Sequence, residues 1–168
     1  MQKNLLYHEC SGILFVAILG TFLHSAYHIS GYNPFVAFFV PVNESVFEHL
    51  KLLFFPHFLY STMEYCFIGK KYRNFIFIKS LTCLLGLTII PLIFYIYTAF
   101  SGNSFLWFDI LLFYITIFCT FSASYLILAH RKFNRYDLNA YGIFIYSFCM
   151  LLFFLCTVYP LDFNLFKA

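Results

Sequence analysis

The stretch FLWFDILLFYITIFCTFSASYLILA (105–129) runs for 25 residues with Asp109 as its single charge. As an α-helix it would rise about 37 Å, more than the roughly 30 Å of hydrocarbon in a bilayer. Its apolar residues do not alternate with polar ones, so a barrel strand is excluded. The same reading extended outward finds apolar runs at 11–30, 45–68, 74–100 and 140–159. Short polar connections separate the last four: Lys70-Lys71-Tyr72-Arg73, Ser101-Gly102-Asn103-Ser104 and His130-Arg131-Lys132-Phe133-Asn134-Arg135. In lipid the backbone must satisfy its own hydrogen bonds, which leaves helices. The expected fold is all-α, a polytopic membrane protein of five transmembrane helices in one domain, 1–168.

Composition agrees. The 168 residues are 62% hydrophobic and only 10% charged, with 26 Phe, whereas a soluble domain is about half apolar and about a quarter charged. So few polar groups do not cover a globule of this size. A soluble enzyme, a disordered tail and a secreted disulfide scaffold are excluded together. The net charge of +3 is small and scattered, so no nucleic-acid partner is expected and the lipid bilayer is the partner in view. Six cysteines without a C-x-x-C pair read as small buried hydrophobes. His8 and Glu9 interrupt the first apolar stretch and no small-residue cleavage site follows, so that stretch is expected to stay as a span. Both residues are expected at the cytoplasmic edge, in contact with solvent.

Orientation follows from the basic residues. Lys3, Lys70, Lys71, Arg73, Lys79, Arg131, Lys132 and Arg135 fall on one side, leaving Lys51 and Lys167 opposite. The positive-inside rule then puts the N-terminus in the cytoplasm and the C-terminus outside. The first outer connection holds an apolar stretch, 35–40, bracketed by Pro34 and Pro41. It is too short to span, so it is expected to re-enter the membrane or to lie along the interface. Asn43 or Ser45 is the expected N-cap of the second helix. Pro56 and Pro91 free the carbonyls of Leu52 and Leu87, and Gly20, Gly86 and Ser122 mark expected close helix approaches.

Ionisable groups inside spans are costly and default to functional candidates. Here they concentrate in the first two spans: His24 and His28, then Glu44, Glu48, His49, Lys51, His57 and Glu64. His24/His28 and Glu44/Glu48 are both i,i+4 pairs and lie at matching depth near the outer surface, so two imidazoles and two carboxylates are expected to face each other. Asp109 reaches the same level from the fourth span. Such an N2O2 set suits a divalent metal, zinc, iron or manganese, able to activate water for hydrolysis. The expected ligands are His24, His28 and Glu48, with His49 or Glu44 as the acid–base group. A packing network is the rival, with Glu48 on Lys51 and His28 on Glu44. His57 and Glu64 form a second stripe that would carry protons or simply be satisfied in the bundle, Glu64 reaching Lys70 or Arg73. Haem on His24 and His49 is a remoter option.

The segment PVNESVFEHLKLLFFP (41–56) resembles the signature VNES-[WF]-EH-KLLFFP of an uncharacterised family of small integral membrane proteins of Firmicutes. The similarity also takes in Gly20-Thr21-Phe22-Leu23-His24, Ser30-Gly31, Lys79 and the tail from Val158-Tyr159-Pro160. By that resemblance His24, Asn43, Glu44, Ser45, Glu48, His49 and Lys51 match the family's polar core. Phe47 stands where the family usually has Trp, and His28 where it often has Asp. The resemblance implies a shared five-span architecture and no assigned activity. Three functions stay open: a metal-dependent membrane enzyme, hydrolase-like, acting on a lipid or envelope substrate; a proton- or cation-handling transporter or channel subunit; and a non-catalytic membrane partner protein.

Overall fold

The computed structural model describes residues 2–130, 137–160, 162, 163 and 165. Arg131, Lys132 and Arg135 of the second basic loop, and Lys167, lie outside the described residues. The described chain is all-helical: α1 (Gln2–Ile29), α2 (Pro34–Ala37), α3 (Val46–His49), α4 (Lys51–Phe67), a 3-10 turn at Gly69–Lys71, α5 (Phe75–Ser101), α6 (Leu106–Ala129) and α7 (Asn139–Val158). Of these, α1, α5, α6 and α7 are long and apolar enough to cross a membrane. The predicted second span divides at Leu50 into α3 and the 17-residue α4.

The first helix starts well before the apolar run at 11–30. Its buried residues are Leu5, Glu9, Gly12, Val16 and Gly20, a stripe at three- and four-residue spacing that faces α4 and α6. Around it, α5 packs on α4, α6 and α7. Val16, Leu53, Phe54, Ile117, Phe121 and Phe153 form the main core, and Leu5, Ile68, Phe75, Ile78 and Leu128 a second one toward the opposite end. The outward faces carry large apolar side chains such as Ile18, Phe22, Leu92, Trp107, Phe118 and Phe144. Nothing in water rewards such an exterior, whereas lipid does.

Two glycines permit close backbone approach. A Cβ on Gly20 would lie 2.7 Å from the Leu52 carbonyl oxygen, the very carbonyl that Pro56 deprives of a helical partner. A Cβ on Gly142 would meet the Phe77 backbone at 2.5 Å, so α7 seats directly on α5. At that seat the Leu138 N–H donates to Asn74 Oδ1 (2.7 Å) and the Ile76 N–H to Asn139 Oδ1 (3.1 Å). Asn74 takes left-handed φ, 60°, a conformation Asn tolerates better than most residues.

The proline-bracketed segment folds back onto the bundle. Asn33 caps the single turn α2, and Phe39 packs on Phe55 and Phe154. Ser45 is the N-cap of α3, its Oγ accepting from the Glu48 N–H at 3.4 Å, while Asn43 Oδ1 accepts from the Ser45 N–H at 2.9 Å. Glu44 therefore precedes the helix instead of lying on it.

Candidate functional site

Two polar centres lie 15 residues apart along α1, about 22 Å of helical rise. The first gathers around His24, in the last two turns of α1. The cap at Ser45 starts α3 so that His49, four residues on, turns toward α1, and its ring centroid sits 5.1 Å from that of His24. The two Nε2 atoms are 3.1 Å apart. Glu44, released from helical geometry by the cap, brings Oε2 to 3.3 Å from His49 Nε2 and 4.0 Å from His24 Nε2. All three ligand atoms lie within 4.8 Å of one another.

The protonation pattern is constrained. His49 Nδ1 is 2.9 Å from the Ser45 carbonyl oxygen, which can only accept, so Nδ1 carries the proton and donates. In the neutral ring the lone pair is then on Nε2, aimed at a carboxylate oxygen that is also an acceptor. Two acceptors at 3.3 Å repel unless a second proton or a cation lies among them. This tethering of one ring nitrogen to a carbonyl is how metal-binding histidines are commonly oriented. For a tetrahedral ion with bonds of about 2.0–2.2 Å the ligand–ligand edge is about 3.3–3.6 Å, and the three separations of 3.1, 3.3 and 4.0 Å bracket that value. Side-chain exposures of 47% for His24, 77% for Glu44 and 28% for His49 leave the cluster open to a ligand or water.

The other predicted site residues go elsewhere. His28, though one turn from His24, faces Tyr32 at 5.3 Å between centroids and is exposed. Glu48 is buried and pairs with Lys51 at 2.7 Å, its Oε2 also accepting from the Val42 N–H. Lys51, fully buried, donates further to the Ala37 and Val40 carbonyls and to Thr157 Oγ1 (2.7 Å). That pair pins the proline-bracketed segment to α4 and α7. Asp109 accepts from the Tyr97 hydroxyl at 2.5 Å, across the α5–α6 turn. His57 is buried, its Nδ1 3.3 Å from both Ser61 Oγ and the Tyr146 hydroxyl, and its Nε2 has no hydrogen-bond partner.

The second centre corrects two expectations. Glu9 is 2% exposed rather than solvated at the edge, and Glu64 reaches neither Lys70 nor Arg73 as its ion-pair partner. Both carboxylates converge on Lys79: Nζ is 2.7 Å from Glu9 Oε2 and 2.7 Å from Glu64 Oε2. The Ser124 hydroxyl donates to Glu9 Oε1 at 2.8 Å, and the ammonium lies 4.9 Å from the Phe121 ring centroid. Lys79 is thus an internal charge, held by both carboxylates. The signal for Glu9 was its place on the stripe with Gly12, Val16 and Gly20; the signal for Lys79 was a lone cation in an apolar run, which needs a buried partner.

Fold and sites together define a helical protein with four helices long and apolar enough to cross a membrane among the described residues, an open imidazole–carboxylate cluster and a buried charge centre. The chain belongs to the family DUF6512, a family of unknown function, whose model matches residues 2–168. No curated protein and no solved structure matches it.

Proposed function

We propose that the chain is a metal-dependent membrane enzyme, a hydrolase whose divalent ion, zinc before iron or manganese, is held by His24, His49 and Glu44. The carrying observation is the convergence of these three ligand atoms with His49 Nδ1 already committed to the Ser45 carbonyl. Two His and one Glu form a known catalytic zinc set, three protein ligands that leave a position for water. Bound there, the ion would lower the pKa of that water and polarise an ester or phosphoester oxygen. The cluster sits at the end of α1 beside apolar helix faces, which favours a lipid or envelope substrate delivered from the membrane. In this reading α3, Leu50 and α4 together, 22 residues and about 33 Å long, make the fifth span. The N-terminus is cytoplasmic, the cluster faces outward, and the membrane is the bacterial inner one.

Elemental analysis of the full chain in mild detergent tests this directly. About one zinc, iron or manganese per chain is expected, lost in both His24→Ala and Glu44→Gln while each variant stays monodisperse. Wild-type protein that binds no metal even after loading removes the mechanism. A second reading, a proton- or cation-handling subunit, is favoured by a separate observation, the Glu9–Lys79–Glu64 centre.

A further inference from the structure

The Glu9–Lys79–Glu64 centre contains two carboxylates and one ammonium, all with side chains at 3% exposure or less. Fully ionised, it carries a net charge of −1, and an unbalanced buried charge is far costlier than a buried neutral group. Among the described residues, the other ionisable groups around it do not supply a second cation. From α4 come His57 and Tyr60, from α5 Cys83, and from α7 Tyr146 and Cys149, all buried. His57 is tied through Nδ1 to hydroxyls, the Tyr60 hydroxyl donates to the His8 carbonyl of α1, and α6 contributes the Ser124 hydroxyl.

The oxygens of the two carboxylates are not equivalent. Glu9 has both occupied, Oε2 by Lys79 and Oε1 by Ser124. Glu64 has Oε2 2.7 Å from the Lys79 ammonium in an ion pair, but neither of its oxygens, both buried, has a partner in hydrogen-bond geometry, and Oε1 has no ion-pair contact either. A metal cation has no room between the carboxylates, because the ammonium already occupies that place at 2.7 Å from each. A cavity of about 320 Å³ reaches the centre at Lys79, lined by hydroxyls of Ser61, Thr62, Tyr146 and Ser147 as well as by Phe58 and Met150. That volume has room for several waters at about 30 Å³ of liquid space each; its walls are mostly apolar, it opens past the exposed Thr62, Ile143 and Ser147, and the Tyr146 and Ser147 hydroxyls are the polar groups along it that a water would meet. His57, bonded to Ser61 and Tyr146, flanks the same route.

We propose that this centre is a proton-binding site: Glu64 Oε1 carries one exchangeable proton that balances the second carboxylate, and the cavity is its route of exchange. The bond formed is O–H on Glu64; the proton comes from and returns to water in the cavity, and no electron moves. The site does not depend on the metal reading.

Infrared spectroscopy of the full chain in phospholipid vesicles reads the proton as the C=O stretch of a protonated carboxyl. At neutral pH the exposed carboxylates are ionised, so a band equivalent to about one carboxyl per chain is expected, moving to lower frequency in deuterium oxide. Glu64→Gln removes the band. Glu9→Gln removes it too, although Glu64 is untouched, because the one remaining carboxylate then balances Lys79. Absence of the band in wild-type protein overturns the proposal, as does a band that survives both substitutions. A band in wild-type protein that disappears when sodium is added at constant pH would make the site one for a metal cation, and overturns it as well. If a Gln variant does not fold, Glu64→Asp, which keeps a carboxyl there, is read instead: a band shifted in frequency supports the assignment to Glu64, and an unchanged band overturns it.

Discussion

The two polar centres share α1 and are built on opposite principles. Near the end of α1, His24, Glu44 and His49 are partly exposed and carry few bonds beyond their mutual contacts. Some 22 Å further along α1, Glu9, Lys79 and Glu64 are sealed among Phe75, Phe121 and Ser124. A group left accessible contributes little to stability and stays free to bind; a buried charge is either compensated or ruinous. Stability and ligand binding should therefore separate cleanly between the two centres.

The largest expected effect breaks the comparison if it fails. Lys79→Met strips two buried acidic side chains of the one close cation they have among the described residues, which costs about 3–5 kcal/mol. His24→Ala, at the open centre, stays within about 0.5 kcal/mol while losing the metal. Unfolding in graded mixtures of denaturing and mild detergent compares the two. Equal losses would mean that the open cluster is as structural as the buried one.

Glu48→Gln is the next test, because Glu48 was read from sequence as a metal ligand and lies instead against Lys51. Gln keeps a hydrogen-bond acceptor, and Lys51 retains the Ala37 carbonyl and Thr157. The expected loss is about 1.5–3 kcal/mol, the range for a hydrogen bond to a charged group. Metal content should stay at the wild-type level. Loss of metal without loss of stability would return Glu48 to the ligand set.

Why Glu48 lies apart from Glu44, against the expected i,i+4 pairing, is a matter of one residue. Pairing Glu44 with Glu48 at i,i+4 assumes that both are helical. Ser45 caps α3, so Glu44 precedes it, and its carboxylate swings to His49 while Glu48 turns inward. Ser45-Val46-Phe47-Glu48 has the S-x-x-E spacing of a capping box, a signal that the helix begins there. The long apolar stretches were legible for the opposite reason: hydropathy is summed over some twenty residues, and no single position decides it. Glu9 escaped notice because a charge ahead of an apolar run reads as solvated until the stripe Leu5, Glu9, Gly12, Val16 is laid on one helix face. Its partner Lys79 is 70 residues away, and no local pattern connects them.

The smallest expected effect bears on the same helical logic in α1. His24 and His28 are i,i+4 on a continuous helix, so the spacing that failed for the glutamates holds for this pair. Geometry alone nonetheless does not recruit His28. The helix ends at Ile29, and Tyr32 folds back with φ of 61° to meet the His28 ring. The third ligand comes instead from the chain before α3. His28→Ala should change stability by less than about 0.5 kcal/mol and leave the metal stoichiometry at the wild-type value, checked on the same preparations as His24→Ala. A drop in bound metal to the level of His24→Ala would put the ion between the two histidines of α1. Glu44 would then be an exposed carboxylate beside the site rather than part of it, and the open centre would belong to one helix instead of joining α1 to the cap of α3.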